Sequence, residues 1–151
     1  MEPLRLLIVD DESDFVESLT KRLRRRGVIC DGAGCAAEAL TRLASAPYYV
    51  VLLDMLLPDQ NGNEVLPTIK AQWPATTVII LTGHASVEAG RESLRHGAAD
   101  YLMKPLETET LFDKLTALKG RRNDAHYNQG ASTGVSTGGE PLFSFQPNYG
   151  G

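Results

Sequence analysis

Short runs of apolar residues alternate along the chain with longer stretches in which apolar residues recur every three or four positions. The runs are Leu4–Val9, Val28–Ala33, Tyr49–Asp54 with its terminal acid, Thr77–Leu81 and Tyr101–Met103. Apolar runs of this length are typical of strands that are buried on both faces of a parallel sheet. The pattern therefore predicts five strands in a mainly parallel sheet.

The stretches between these runs have the spacing of amphipathic helices. The first helix is predicted to follow a cap at Ser13 or Asp14 and to end before Gly27. The other predicted helices are Ala36–Ala44, Glu64–Trp73, Ser86–Arg95 and Glu107–Leu118. Strands that alternate with helices predict an α/β domain with right-handed crossovers.

The composition changes after Lys119. Seven of the 14 glycines fall within residues 120–151, together with Ser, Thr and Asn, and no strand or helix period is visible there. We therefore expect a domain at residues 1–119 and a Gly/Ser-rich tail or linker at 120–151. Aromatic residues such as Phe143 and Phe145 are unusual in a linker, and they make 140–149 a candidate docking segment on this domain or on a partner.

The overall composition excludes several classes of protein. The 151 residues carry a net charge of −4, which implies no general affinity for nucleic acid. No apolar run approaches the ~20 residues of a membrane span, and the first residues lack a signal-peptide pattern. The two cysteines, Cys30 and Cys35, are too few for a disulfide framework or a cysteine metal site. These features favour a cytoplasmic protein that binds neither membrane nor nucleic acid directly.

Polar residues that could take part in catalysis or ligand binding follow four of the five predicted strands. They are Asp10 and Asp11, Asp54, Thr82 and Lys104. The carboxyl ends of parallel strands share one edge of a sheet, where α/β proteins bind ligands. Clustered carboxylates without His or Cys favour a hard cation, Mg²⁺ or Mn²⁺. A carboxylate beside such a cation, a lysine and a hydroxyl group is suited to phosphoryl transfer.

Each of these residues alone has an ordinary structural explanation, as a helix cap, a turn residue or a solvated charge. Their succession at strand ends is what favours a site. A Mg²⁺-dependent phosphatase or phosphotransferase with an aspartyl nucleophile is the alternative, although Leu56 stands where such phosphatases carry a second acid. A dinucleotide fingerprint at Gly32 and Gly34 is weaker, since it follows the second strand and leaves the acids unexplained.

The sequence resembles the receiver domain of two-component response regulators over residues 4–118. The residues that carry the resemblance are the acid pair Asp10–Asp11, Asp54 with Pro58 and Gly62, Thr82–Gly83, Lys104–Pro105, and Gly97, Ala98, Asp100 and Tyr101. The resemblance implies a flavodoxin-like, doubly wound, five-stranded parallel sheet in the order 2-1-3-4-5 with five helices, an order that chemotaxis receivers exemplify.

The same resemblance implies the chemistry of the site. Asp54 would be the phosphoacceptor, and Lys104 would hold a phosphoryl oxygen. The metal ligands would be Asp10, Asp11, Asp54 and the backbone carbonyl of Leu56. Phosphoryl transfer and autodephosphorylation would be self-catalysed, so the chain is not expected to be an enzyme in the metabolic sense.

The resemblance also implies a switch and its partners. Thr82 would contact the phosphoryl group, and Tyr101 would turn inward behind it. The face formed by the fourth helix, the fifth strand and the fifth helix would then change, and this face is also a candidate dimer interface. A sensor histidine kinase or a phosphotransfer protein would supply the phosphoryl group, and a downstream protein or output domain would read the result.

Overall fold

The computed structural model describes residues 4–83 and 87–128, apart from the side chains of Val87 and residues 121–128. The strands are β1 Arg5–Val9, β2 Ile29–Ala33, β3 Val50–Asp54, β4 Thr77–Thr82 and β5 Asp100–Met103. The helices are α1 Ser13–Arg24, α2 Ala36–Ser45, α3 Gly62–Gln72, α4 Val87–Arg95 and α5 Thr108–Asn128. All strand pairs are parallel, and the order is β2-β1-β3-β4-β5. The predicted fold class is therefore confirmed.

Strand β3 lies at the centre of the sheet, and all five of its residues are buried. It pairs with β1 on one side, where Val9 lies opposite Leu53, and with β4 on the other, where Asp54 lies opposite Leu81. A strand that is covered on both faces needs an unbroken apolar sequence, which Val50–Leu53 supplies. The single acid at its end is thereby held on a rigid support.

Alternate residues of the strands enter two separate cores, as the period of two for a strand requires. Leu7, Val9, Val51 and Leu53 face a core that includes residues of α2 and α3. Leu6, Ile8, Val50 and Leu52 face a second core that includes residues of α1 and α5. Helices on both faces make the sheet doubly wound.

Several helix ends differ from the sequence prediction. The N-cap of α1 is Glu12, not Ser13 or Asp14, and its side chain makes no capping hydrogen bond. Helix α3 begins earlier than predicted, at Gly62, because Asn61 and Glu64 form a capping box.

Helix α5 continues through Gly120 to Asn128, beyond the predicted end at Leu118. A glycine inside a helix costs only ~1 kcal/mol relative to alanine, and the residues that follow Gly120 include no proline before 128. The prediction of a tail without helical structure after Lys119 is therefore wrong for residues 120–128.

Two predictions fall outside the described residues. The cap at Ser86 lies in the gap between 83 and 87, and the candidate docking segment 140–149 lies beyond residue 128. Within the described ranges, none of the helices combines the length and the apolar character that a membrane span requires.

Candidate functional site

The residues predicted at the strand ends meet at one edge of the sheet. Asp10 follows β1 directly, Asp54 is the last residue of β3, and Thr82 is the last residue of β4. Lys104 follows β5, in which Met103 lies opposite Thr82. Because these strands are parallel neighbours, their carboxyl ends are adjacent. The structure therefore brings together the side chains that the sequence pattern selected.

Three carboxylates form a compact cluster at this edge. One oxygen from each of Asp10, Asp11 and Asp54 lies within 4.8 Å of the others. Asp10 and Asp54 are buried, with 2% and 6% of their surface exposed, whereas Asp11 is exposed. Like charges at this spacing repel unless a cation lies between them. A cluster of carboxylate oxygens that is accessible at the exposed Asp11 fits a hard divalent cation such as Mg²⁺.

The backbone fixes the direction of two of these carboxylates. The amide of Glu12 donates to Asp10 Oδ1 at 2.9 Å, and the amide of Leu56 donates to Asp54 Oδ1 at 3.4 Å. The side chain of Leu56 is 53% exposed beside the acceptor. Its amide thus orients Asp54 while its side chain extends into solvent.

The pKa of Asp54 is raised above the usual range of an aspartate. Burial is the main cause and the negative charge of Asp10 adds to it, while Lys104 and the amides of Leu56 and Met55 act in the opposite direction. A buried carboxylate beside another acid is costly to ionise. The ionised form of Asp54, the residue at the centre of the predicted site, is therefore disfavoured in the folded chain.

Lys104 is the cation at this edge. Its Nζ lies 2.7 Å from Asp10 Oδ2, 2.5 Å from Glu12 Oε1 and 3.7 Å from Asp54 Oδ2. Nζ also lies 4.8 Å from the centre of the Phe15 ring. Burial alone would lower the pKa of Lys104, but hydrogen bonds with Asp10 and Glu12 and the charges of Asp10 and Asp54 outweigh burial, so the net shift is upward. Lys104 is therefore firmly protonated.

Sequence reasoning did not assign Glu12 a role. It is an exposed carboxylate at the N-cap of α1, and its contact with Lys104 lowers its pKa. The signal in the sequence was the third consecutive acid in Asp10–Asp11–Glu12. Nothing in that run indicates which acid a lysine 92 residues away will contact.

The loop after Asp54 packs tightly against the end of β3. A Cβ placed at Gly62 would lie 2.5 Å from the carbonyl oxygen of Asp54, and the Gly62 amide donates to the Met55 carbonyl at 2.7 Å. Only glycine allows the two backbones to approach this closely. The first turn of α3 thus supports the backbone of the candidate acceptor.

A second acid in the same loop has a structural role. Asp59 accepts hydrogen bonds from the amides of Ala36 and Ala37, each at 2.9 Å, at the start of α2. These two bonds are the main cause of its lowered pKa. Asp59 therefore stabilises a helix N-terminus and lies outside the carboxylate cluster.

The two candidate switch residues are both buried. Thr82 is 1% exposed and Tyr101 is 5% exposed. The Tyr101 ring packs directly on α4, since a Cβ placed at Gly90 would lie 3.0–3.1 Å from three of its atoms. In this structure the tyrosine therefore occupies the inward position, and Gly90 leaves the space for it.

Helix α4 also contacts α3 and the residue that follows the candidate acceptor. The buried Ser93 hydroxyl donates to Asn63 Oδ1 at 2.9 Å and lies 3.0 Å from the Ala89 carbonyl oxygen. It also lies 3.9 Å from the sulfur of Met55, the residue after Asp54. Helix α4 is thus in contact with Met55, the neighbour of the candidate acceptor in the chain.

A doubly wound sheet of this order, with an acid cluster, a threonine and a lysine at its carboxyl edge, has the architecture of a phosphorylation-dependent signalling domain. The sequence profile of the family described as "Response regulator receiver domain" matches residues 6–116. The chain belongs to this family, and it is a receiver domain of the two-component response regulators.

Individual relatives agree with this assignment. The chain is 34% identical over 109 residues to the DNA-binding transcriptional regulator NtrC of Proteus hauseri, a match that covers 72% of this chain and 23% of that protein. It is similar to the solved CheY-like receiver domain protein of Methanospirillum hungatei, with 31% identity, a TM-score of 0.77, and 82% and 99% of the two chains covered. It also matches the beryllofluoride-activated NtrC4 receiver domain dimer, with 31% identity, a TM-score of 0.74, and 78% and 97% covered.

The matches cover only part of each curated relative. The chain spans from 23% to 61% of the length of the first curated relatives that it matches. Those relatives are named as regulatory proteins. The family assignment therefore supports a signalling domain over the alternative of a phosphatase that acts on small molecules.

Proposed function

We propose that Asp54 accepts a phosphoryl group from a sensor histidine kinase or a phosphotransfer protein and that the phosphorylated chain controls a downstream protein or output domain. The observation that carries this proposal is the position of Asp54. Its carboxylate ends the central buried strand, belongs to the Asp10–Asp11–Asp54 cluster, and lies 3.7 Å from the ammonium of Lys104.

The transfer is an in-line displacement. One carboxylate oxygen of Asp54 forms a bond to phosphorus as the P–N bond of a phosphohistidine breaks. The electron pair of that bond returns to the imidazole nitrogen, which takes a proton. Lys104 stabilises charge on the transferred oxygens, and the rigid end of β3 keeps the attacking carboxylate in place.

The donor set of the cluster supports a divalent cation in this reaction. Asp10, Asp11, Asp54 and the backbone carbonyl of Leu56 would hold Mg²⁺ or Mn²⁺, which when bound would neutralise charge between carboxylates and phosphoryl oxygens. The protein supplies the attacking carboxylate itself. Phosphorylation and dephosphorylation would therefore proceed without a dedicated catalytic partner.

The switch would run through Thr82 and Tyr101. Thr82 ends the strand next to Asp54, where its hydroxyl would contact a phosphoryl group, and the inward position of Tyr101 would then be favoured. Because the Tyr101 ring packs on Gly90, its position is coupled to α4. The face made by α4, β5 and α5 would report the state of Asp54 to a partner or to a second copy.

The likeness to the NtrC4 receiver domain dimer supports dimer formation, for which this face is the candidate interface. The likeness to NtrC supports an output that regulates transcription. We propose residues 1–119 as the receiver domain and 120–151 as a tail or linker, with α5 continuing into its first residues. The end of the family match at residue 116 supports this division.

Labelling with a small phosphodonor tests the proposal directly. Purified chain incubated with Mg²⁺ and phosphoramidate should take up one phosphoryl group per chain, stable in acid and released by hydroxylamine. Asp54→Asn should abolish the label, whereas Asp59→Asn, in the same loop, should retain it. A label that persists in Asp54→Asn, or continuous release of phosphate without a labelled protein, would contradict the proposal.

A further inference from the structure

In this structure Lys104 lies closer to Glu12 and Asp10 than to Asp54. Its ammonium lies 2.5 Å from Glu12 and 2.7 Å from Asp10, but 3.7 Å from Asp54. The Phe15 ring, one turn along α1 from Glu12, lies 4.8 Å from the same ammonium. Residues at the start of α1 thus contact the Lys104 ammonium next to the candidate acceptor.

Glu12 and Asp10 are different kinds of partner. The side chain of Asp10 is 1% exposed, whereas that of Glu12 is 62% exposed. An exposed ion pair is weak and exchanges readily, because water and salt ions replace the lost contact. Asp10 also belongs to the carboxylate cluster. Of these two contacts, the one with Glu12 is therefore the easier for the lysine to give up.

The Glu12 side chain does not cap α1 with a hydrogen bond. The residue occupies the N-cap position, but its side chain makes no capping hydrogen bond. Its carboxylate instead contacts the ammonium of Lys104. The helix start would therefore not lose a cap if this side chain changed.

We propose that Glu12 is a positioning residue that competes with the phosphoryl group for Lys104. The ammonium rests on Glu12 and transfers to a phosphoryl oxygen when Asp54 is modified. Glu12 thereby sets how readily the modified state forms. This inference rests on the proposed acceptance of a phosphoryl group by Asp54.

The test measures binding of beryllofluoride, which occupies an aspartate carboxylate in place of a phosphoryl group. Titrations on the full chain at saturating Mg²⁺ compare wild type with Glu12→Gln. Loss of the exposed ion pair should tighten binding by roughly two- to five-fold. The initial rate of labelling by phosphoramidate should rise by a similar factor. The difference should shrink towards none in about 1 M salt, where exposed charges are screened.

Two further variants separate contact from charge. Glu12→Asp keeps the charge but is one methylene shorter and no longer reaches Lys104, so it should behave like Glu12→Gln. Asp14→Asn removes an exposed acid from the first turn of the same helix and should behave like wild type, because Asp14 is not among the carboxylates that contact Lys104. Together these variants give the contact a signature that net charge alone does not produce.

Every other pattern overturns the inference. Weaker binding in Glu12→Gln would mean that Glu12 holds the lysine productively. Wild-type behaviour in Glu12→Asp, or tighter binding in Asp14→Asn, would reduce the effect to general charge. Failure of the proposed function has a different appearance, since wild type itself would then bind no beryllofluoride that depends on Asp54, and the Glu12 inference would fall with it.

Discussion

Replacement of the candidate acceptor should make the metal-free protein more stable. In Asp54→Asn the amide oxygen can still accept from the Leu56 amide, while the buried charge disappears. The raised pKa of Asp54, caused first by burial and then by Asp10, shows that its ionised form is disfavoured in the fold. The variant removes that penalty.

The distances show that burial, and not the neighbouring charges, determines the gain. At an effective dielectric constant of about 20, the attraction between Lys104 and Asp54 across 3.7 Å is about 4 kcal/mol. Repulsion from Asp10 within 4.8 Å is about 3 kcal/mol, and the exposed Asp11 adds about 1 kcal/mol. These charge effects nearly cancel, so burial decides the sign. We expect Asp54→Asn to gain about 1–2 kcal/mol, or about 4 °C in Tm for each kcal/mol.

The gain should depend on pH in a defined direction. A carboxyl group with a raised pKa in the fold keeps its proton longer in the folded chain than in the unfolded chain. Wild-type stability therefore falls as pH rises from about 4, the ordinary pKa of aspartate, through the raised value. The advantage of Asp54→Asn should be complete at neutral pH and absent below about pH 4.

Thermal unfolding in chelator and in Mg²⁺ provides the assay. Saturating Mg²⁺ should stabilise wild type more than Asp54→Asn, which lacks one of the candidate ligands, so the difference should shrink or reverse. The matched control is Asp59→Asn, which should destabilise the chain because Asp59 caps α2. An Asp54→Asn variant that is less stable than wild type in chelator at neutral pH, or whose advantage persists at pH 3, would refute the reasoning.

Two glycines provide further predictions. Gly62→Ala should lower the free energy of unfolding, measured in urea, by about 2 kcal/mol or more, because the new Cβ would lie 2.5 Å from the Asp54 carbonyl oxygen. It should also weaken Mg²⁺ binding. An unchanged Mg²⁺ affinity would argue against support of the site by α3. Gly90→Ala should displace the Tyr101 ring, which NMR of the tyrosine ring would detect, and lower Tm by a few °C. When Gly90→Ala is made in the Tyr101→Ala variant, it should no longer lower Tm and should stabilise the chain slightly, because alanine favours a helix by ~1 kcal/mol over glycine. An equal loss with and without the tyrosine would contradict contact with the ring.

Much of this fold follows from local pattern. The apolar runs gave the strands because a parallel sheet that is buried on both faces tolerates few other residues. The acids at the ends of β1 and β3 are informative because a charge next to a buried strand is costly unless it is paired, hydrogen-bonded or bound to a ligand. The convergence of Asp10, Asp54 and Lys104 then followed from the parallel order alone.

The features that the sequence did not reveal depend on choices among similar residues. Ser13 and Asp14 are both residue types that are preferred as helix N-caps, but the N-cap of α1 is their neighbour Glu12. Its pairing with Lys104 joins residues that are distant in sequence and leaves no periodic signal. The early start of α3 depends on the reciprocal bonds of a capping box. The roles of the site residues, the bound metal and the tail stay predictions until they are tested.

The hydroxyl of Ser93 has two alternative acceptors. It lies 2.9 Å from Asn63 Oδ1 on α3 and 3.0 Å from the Ala89 carbonyl oxygen of its own helix. Because the second acceptor moves with α4, the hydroxyl keeps a hydrogen bond when the helix is displaced, and the cost of an unpaired buried group, about 1–3 kcal/mol, does not arise. Helix α4 can therefore exchange its contact with α3 without that penalty, which suits a surface that has to change position.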